Sequence, residues 1–320
     1  MGISRRASFL AVGAATAALT ACARKTEPPF APREALSTFE VEGGFRIEAF
    51  AAEPDVASPV AMDFDERGRI FVVEMPGYPL DTRPTGRVKL LEDTNDDGKP
   101  DRSSVFADGL VLPNGVMRWK RGVIVTAAPD VLYLEDTNDD GRADVRRKLL
   151  SGFAFSNPQH TVNSPVYGLD NWIYLAHEGP AHAIVFKDLF GDAGQDVHFP
   201  EASDSKRLPL GRHGVRFRPD TAELEALAGS SQFGHSFDEW GHYFTQDNSN
   251  HLRHEVMAAR YFARNPDLPI PDVMQNVSDH GSNAMVFAVT QRPRFELLTE
   301  PGEFTSACGL TVYTGGAFPP

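Results

Sequence analysis

The chain has 320 residues and a formal net charge of −13 at pH 7. Its 27 glycines, 24 prolines and 22 phenylalanines are typical of a turn-rich all-β protein, and its length allows one large domain or two ordinary ones. The acidic balance argues against nucleic acid as a partner and favours cations or basic partners.

Residues 1–22 read as an export signal. An Arg-Arg pair precedes an alanine-rich apolar stretch from Phe9 to Leu19, and the segment ends in Leu-Thr-Ala-Cys at Cys22. Those last four residues resemble a bacterial lipobox. We therefore expect cleavage before Cys22, acylation of its sulfur, and a lipid anchor that holds the protein to the membrane on the periplasmic side of the cell envelope. An uncleaved anchor helix is the alternative, which the shortness of the stretch disfavours.

The two cysteines limit which disulfide bonds and haem attachments the chain can form. Acylation of Cys22 would leave Cys308 as the single thiol, and we expect that side chain to be buried in the core. The chain lacks a Cys-x-x-Cys-His motif, so it is expected to carry no haem of its own.

A proline-rich polar stretch at residues 23–38 is typical of a linker. The folded domain is accordingly predicted at residues 39–320.

Four segments of that domain share a pattern in which a tight turn enters an apolar strand. Their turn residues are Gly68, Gly122, Asn171 and Gly241, about 50 to 70 positions apart. This spacing predicts the four-stranded blades of a β-propeller with loop insertions. A β-sandwich is the alternative, but it would not explain the repeat.

We predict an all-β fold, a β-propeller of the six-bladed type that is truncated in this chain. Four blades are visible, and a fifth is expected to begin near residues 283–289. No closing strand is evident near Pro320, so the sequence is expected to be a fragment of a longer product, because an open propeller leaves exposed edges.

The heptapeptide Glu-Asp-Thr-Asn-Asp-Asp-Gly occurs at residues 92–98 and again at 135–141. Oxygen-bearing side chains recur there at alternating positions, which predicts a structural calcium ion in each copy. The candidate ligands are Asp93, Asn95, Asp97 and Asp101 in the first copy and Asp136, Asn138, Asp140 and Asp144 in the second. The preceding residues are strand-like, so the loops are expected to cap hairpins. A pair of metal-free Asx-turns is the alternative.

All ten histidines lie between His160 and His280, which points to the middle of the chain for any chemistry. His177, Glu178 and His182 have one residue too many for a metalloprotease motif, and the intervening Gly-Pro breaks a helix. That motif is therefore discarded.

His160 lies eight residues ahead of the Gly168-Leu169-Asp170 turn and its Ile-Tyr strand. This segment resembles the catalytic-histidine segment of soluble glucose and aldose-sugar dehydrogenases, which are six-bladed propellers that use pyrroloquinoline quinone (PQQ) and calcium. The resemblance implies that His160 is a general base for oxidation of a sugar or alcohol. It also implies that Gln159 lies at the cofactor, in place of the usual Asp.

A longer resemblance covers nearly all of residues 40–320. It is to the N-terminal domain of membrane-bound dehydrogenases found in planctomycetes and related bacteria. The segments that carry it are Gly168–Tyr174, Phe233–Gly241, Asn248–His254, Tyr261–Pro266 and Phe304–Tyr313. In that family a cytochrome c domain usually follows. The resemblance therefore implies a separate cytochrome c as the electron acceptor here.

One departure concerns the cofactor. The sugar dehydrogenases place Arg-Asn at the fourth-blade turn to bind the quinone carboxylates, where this chain has Ser230-Ser231. Arg212 and Arg216 are candidate substitutes, because a carboxylate-bearing cofactor needs charge-assisted hydrogen bonds. Asn163 and His235 are candidates to orient substrate or cofactor from adjacent blades.

Two rival functions stay open at this point. One is a calcium-dependent lactonase on the same scaffold, whose metal would lie in the central channel. The other is a propeller that binds carbohydrate or protein without catalysis, because one fold hosts many functions.

Overall fold

The computed structural model describes residues 28–180, 187–202, 206–265, 267, 269–270, 272–282, 284–285 and 304–317. The predicted signal, Cys22 and the first part of the linker lie outside these residues. The chain divides into two compact units, Met1–Ala49 and Phe50–Pro320. The described part of the first unit holds helix α1 (Pro32–Ala35) and a 3-10 turn (Leu36–Thr38), neither with a buried residue.

The second unit contains sixteen described strands in four antiparallel sheets, and in every sheet the strands pair in chain order. Blade 1 consists of β1 (Pro59–Phe64), β2 (Ile70–Glu74), β3 (Gly86–Glu92) and β4 (Arg102–Leu110). Blade 2 consists of β5 (Gly115–Trp119), β6 (Gly122–Ala127), β7 (Asp130–Glu135) and β8 (Val145–Ser151). Blade 3 consists of β9 (Asn163–Tyr167), β10 (Ile173–Ala176), β11 (Val215–Arg218) and β12 (Glu223–Ala226). Blade 4 consists of β13 (His235–Phe237), β14 (Tyr243–Asp247), β15 (Asn250–Glu255) and β16 (Met274–Asn276), with the short helix α2 (Ala259–Phe262) between the last two strands.

The first strands of successive sheets, β1, β5, β9 and β13, are spatial neighbours. Four-stranded meanders whose first strands lie side by side are the blades of a β-propeller, so the predicted fold class is confirmed. Among the described residues there are four blades. The predicted start of a fifth blade falls mostly on residues outside the described ranges. No helix in those ranges is long and apolar enough to cross a membrane.

The inner strands are apolar because they are covered on both faces. All six residues of β6 are buried, and alternate side chains point to opposite faces of a strand. Ile124 accordingly packs in a core shared with blade 3, whereas Val123 and Val125 pack in a core shared with blade 1. Such burial of β-branched residues on both faces removes the alternation expected of a half-exposed sheet.

The four turns recognised in the sequence occupy equivalent places, since each joins the first and second strands of a blade. Gly68, Asn171 and Gly241 have positive φ angles of 76°, 62° and 83°, the left-handed conformation that Gly and Asn tolerate best. In blade 2 that conformation falls on Lys120, at φ 51°, instead of on Gly122.

Strand direction divides the propeller into two faces. We call the end of the blades where the first strands begin the entry face, and the end where the first strands turn into the second the turn face. Antiparallel pairing places the ends of β3 and β7 at the turn face as well. The two Asp-rich loops follow these strands, so they cap hairpins, as the sequence predicts, at the turn face.

Candidate active site

A cavity of about 440 Å³ lies at the entry face. Its wall includes residues next to blade 1, blade 3 and blade 4, among them Tyr78, Gln159, Phe233, Asn248 and Cys308. Because blade 2 separates blade 1 from blade 3, a cavity that touches both lies near the propeller axis; we call it the axial cavity. Cys308 was predicted to be buried but is exposed on this wall.

A histidine–carboxylate pair lies beside the wall of the axial cavity. Gln159 donates a hydrogen bond from its amide to the Tyr78 hydroxyl. The next residue, His160, is hydrogen-bonded through Nδ1 to Oε2 of Glu178. His160 precedes β9 and Glu178 follows β10, so the antiparallel pairing of these strands brings both residues to the entry face. The side chains of the pair are 20% and 17% exposed.

The carboxylate of the pair is held in its charged form. The hydrogen bond from His160, followed by the charges of Arg212 and Arg253, holds the pKa of Glu178 below its ordinary value despite burial. An ionised Glu178 accepts a hydrogen bond from the Nδ1–H of His160, so in the neutral imidazole Nε2 carries the lone pair. Orientation of an imidazole by a carboxylate in this way is the arrangement used by general bases.

The guanidinium of Arg253 lies at the Ser230-Ser231 turn, where the sugar dehydrogenases have Arg-Asn. Its Nη2 donates to the Ser230 carbonyl at 3.3 Å, and its Nη1 lies 3.2 Å from a carboxylate oxygen of Asp247. Its Nε is buried without a hydrogen-bond partner. A buried donor without a partner is costly, so this nitrogen marks a place where a further acceptor would be stabilised.

The two arginines that the sequence offered for this role have different surroundings. Arg212 lies 3.9 Å from Glu178 Oε1 with a side chain that is 78% exposed, so it is close to the pair. Arg216 is buried in blade 3, where it binds Asp170 at 2.8 Å and also Glu225. It lines a different cavity, and its charge is already neutralised there.

Asn163 and His235 join blades 3 and 4. The Asn163 amide donates to the Gln232 carbonyl at 2.8 Å and accepts from the Gly234 amide at 3.0 Å. His235 is bonded through Nδ1 to the Tyr243 hydroxyl and through Nε2 to the Ser164 carbonyl, each at 2.6 Å. Through these bonds both residues connect blade 3 to blade 4, and their predicted role in orienting a ligand stays a prediction.

The Asp-rich loops are closed by their own hydrogen bonds. Asp136 accepts from the Asp139 and Gly141 amides, both at 2.7 Å, and Asp144 accepts from the Thr137 hydroxyl at 2.6 Å. The first copy repeats this pattern, with Asp93 accepting from the Gly98 amide at 2.8 Å. Across the described ranges no group of three or more His, Cys, Asp or Glu residues is arranged to hold a metal ion. Calcium binding by these loops stays a prediction.

Two residues of the site, Glu178 and Arg253, were not predicted from the sequence. Glu178 belongs to the discarded His177–Glu178 motif, and only its position directly after an inner strand hinted at the entry face. Arg253 lies between two histidines on β15 and carries no local signal. Each residue acquires its role from a partner on another strand or another turn.

Meandering four-stranded sheets around an axis, with a histidine–carboxylate pair at one face, define a β-propeller with a candidate enzyme site. The chain belongs to the family described as a domain of unknown function (DUF7133), whose model matches residues 31–320. A comparison with curated proteins gives no match.

Several solved propellers are similar in structure. The PQQ domain of pyranose dehydrogenase from Coprinopsis cinerea is 17% identical, with a TM-score of 0.41, and the match covers 68% of this chain and 52% of that one. The PQQ-bound aldose sugar dehydrogenase from Streptomyces coelicolor is 12% identical, with a TM-score of 0.34, and the match covers 63% and 60%. An enzyme of carbohydrate-active family AA12 from Trichoderma reesei is 14% identical, with a TM-score of 0.37, and the match covers 60% and 47%. The aligned region thus spans about half to three-fifths of these proteins.

Proposed function

We propose that this chain forms the propeller of a quinone-dependent dehydrogenase that oxidises a hydroxyl group of a sugar or alcohol. The observation that carries the proposal is the His160–Glu178 pair beside the axial cavity. An alcohol oxidation requires a base that removes the hydroxyl proton while hydride leaves the same carbon, and a neutral imidazole oriented by a carboxylate suits this task.

His160 and Glu178 have different roles in this oxidation. His160 Nε2 takes the hydroxyl proton, and Glu178 stabilises the imidazolium that forms. PQQ, when bound, accepts the hydride and so supplies the oxidant. The carbonyl product leaves with the substrate's carbon skeleton unchanged. General-base catalysis of this kind contributes about 10²- to 10⁴-fold to a rate.

The residues around the pair fit an anionic planar cofactor. Arg212 lies 3.9 Å from Glu178 with an exposed guanidinium that can bind a carboxylate. The charge of Arg253 also acts on Glu178, and its Nε has no hydrogen-bond partner although Nη1 is paired with Asp247. Phe233 and Tyr78 give the axial cavity aromatic surface for a flat ring system. Arg253 therefore takes the place proposed from the sequence for Arg216, beside Arg212.

The cellular setting of this activity is part of the proposal and rests on sequence alone. Acylation at Cys22 would hold the protein on the periplasmic side of the cell envelope, and a separate cytochrome c would receive the electrons. Expression with radiolabelled palmitate tests the anchor. Label in the native chain and no label in Cys22→Ser is the expected result.

Dye reduction tests the enzymatic proposal. The purified 320-residue chain is incubated with PQQ and calcium, then screened with aldoses and alcohols in the presence of an artificial electron acceptor. We expect reduction that His160→Ala lowers about 100-fold or more. Glu178→Gln should lower kcat and move the pH profile, because the imidazole loses its orienting charge.

His280→Ala is the matched control, since this exposed imidazole bonds only within its own loop among the described residues. It should leave the rate unchanged. Absence of dye reduction by the native chain with every substrate would overturn the dehydrogenase proposal and favour a binding propeller.

A further inference from the structure

A second cavity of about 800 Å³ lies on the turn face, at the boundary between blades 3 and 4. Its wall includes the first turn of blade 3, the first turn of blade 4 and the end of β15 with the segment up to Tyr261. We call it the rim cavity. It shares no lining residue with the axial cavity, and the dehydrogenase proposal makes no use of it.

The rim cavity carries exposed aromatic surface. Trp240, at the blade 4 turn, is 78% exposed, and Tyr261 is 49% exposed. Below them Tyr174, Phe237 and Tyr243 form a packed aromatic layer, with the rings of Tyr174 and Phe237 centred 4.8 Å apart. These rings all line one cavity, and a concave wall of aromatic side chains is typical of a ligand-binding site.

The floor of the rim cavity is polar and fixed in geometry. The Arg216 guanidinium donates to Asp170 at 2.8 Å and, through two of its nitrogens, to Glu225. It also lies 4.3 Å from the centre of the Trp172 ring, which holds its plane in place. Asp170 and Glu225 line the cavity and remain 37% and 39% exposed, so their carboxylates can accept hydrogen bonds from hydroxyl groups.

The charges of the rim cavity nearly cancel. Arg216 neutralises Asp170 and Glu225 in part, and Arg260 adds a second positive charge on the wall. Burial raises the pKa of Glu255 to about 7, so this carboxyl is partly neutral at physiological pH. A cavity with this balance offers little net attraction to a cation or an anion. It favours a neutral ligand with both hydroxyl groups and an apolar face.

We propose that the rim cavity is a binding site for a saccharide, whose ring stacks on Trp240 while its hydroxyl groups bond to Asp170 and Glu225, which Arg216 holds in place. A pyranose combines an apolar C–H face with a dense set of hydroxyl donors and acceptors, which matches the aromatic and polar parts of the wall. The site would hold a glycan on the face opposite the axial cavity. The inference does not depend on the dehydrogenase proposal.

Calorimetry and tryptophan fluorescence of the full chain test the site. The probes are glucose, galactose, mannose and cellobiose, with choline as a cationic probe of similar size. We expect at least one saccharide to bind with a Kd on the order of 1 mM or below and to change the fluorescence. Trp240→Ala should weaken that binding at least 10-fold.

Two variants make the result specific. Phe64→Ala removes another exposed aromatic from the turn face, on blade 1, and should leave the affinity unchanged. His160→Ala should also bind normally, which separates the rim cavity from the axial site. A saccharide-dependent fluorescence change that survives Trp240→Ala, or one that is lost in His160→Ala, would overturn the proposal.

Two further outcomes would also overturn it. One is the absence of saccharide binding by the native chain, and the other is stronger binding of choline than of any saccharide. Circular dichroism of Trp240→Ala should match the native spectrum, because the side chain is mostly exposed. Glu225→Gln provides a second variant and is expected to weaken binding about 5- to 10-fold, because a neutral amide accepts hydroxyl hydrogen bonds less strongly.

Discussion

Blades 1 and 2 share an architecture with blades 3 and 4 but are joined in a different way. Between the first two blades lies a core of mainly aliphatic side chains, such as Val73, Leu90, Val125 and Leu134. Between the last two lies a small aromatic cluster, and the interblade ties from Asn163 and His235 supplement it. We call blades 1 and 2 the scaffold half, because apolar contacts dominate their shared boundary, whereas side-chain hydrogen bonds cross the boundary between blades 3 and 4.

This difference has a physical meaning. An aliphatic interface gains stability from each buried methylene group, whereas a buried polar group costs free energy unless it is hydrogen-bonded. The described blade 4 nevertheless keeps several buried polar atoms without partners, on Gln232, Thr245, Gln246 and Arg253. Blade 1 has two such atoms as well, on Glu92 and Ser104, whereas those of blade 4 lie in the part of the molecule where we place the candidate site. Four predictions test the contrast between the two halves.

The largest expected effect is the pH dependence of stability, which should arise in the histidine-containing half. Burial holds the pKa of His177 and that of His235 at about 4, below the ordinary value of 6.5. The unfolded chain therefore binds more protons as pH falls from 6.5 towards 4. Each histidine is therefore expected to lower the free energy of unfolding by about 3 kcal/mol as the pH falls over this interval. Urea unfolding at a series of pH values measures the loss.

Glu255 acts in the opposite direction. Burial raises its pKa from 4.5 to about 7, so the folded chain holds this proton longer and loses stability as pH rises towards 7. The three groups together predict a stability maximum near pH 6.5. Glu255→Gln should remove the decline above that pH, and a decline that persists in this variant would contradict the assignment.

The next effect in size concerns the tie between blades 3 and 4. Asn163→Ala would leave the Gln232 carbonyl and the Gly234 amide buried without partners, at a cost of about 3 kcal/mol. The melting temperature should fall by roughly 6 to 12 °C for a domain of this size. The rate per folded molecule should stay unchanged. A normal melting temperature with lost activity would instead restore the orienting role that the sequence suggested.

A similar loss is expected from truncating the aliphatic core of the scaffold half. Leu134→Ala should cost about 2 to 4 kcal/mol, because the side chain is fully buried. Unlike the loss from the buried histidines, this one should be the same at pH 5 and pH 7. Denaturant unfolding at both values measures it, and a loss that differs by more than about 1 kcal/mol would break the contrast between the halves.

The smallest effect concerns the Asp-rich loops of the scaffold half. Asp136→Ala removes acceptors for the Asp139 and Gly141 amides on an exposed loop, and should cost about 1 kcal/mol. Thermal unfolding is compared in EDTA and in calcium. The loss is expected in both, because the bonds need no cation. A loss that appears in calcium alone would establish the structural ion that the sequence predicts.

The repeat of turn and strand could be predicted from the sequence alone. Gly68, Asn171 and Gly241 mark left-handed turns, and the duplicated heptapeptide marks hairpin tips, because turn chemistry is local and is written in adjacent residues. The apolar strands that follow these turns could be recognised for the same reason. The position of His160 before an inner strand was also readable, since it depends on the order of a few neighbouring residues.

The tertiary structure alone decided which residues meet. Glu178 joins His160 because antiparallel pairing returns β10 to the face where β9 begins, and Arg253 reaches the Ser230 turn from a different strand of blade 4. Arg216 was predicted near the cofactor, but the carboxylates of its own blade engage its guanidinium. Contacts between residues distant in sequence depend on how strands pair and how blades pack, and no local pattern encodes them.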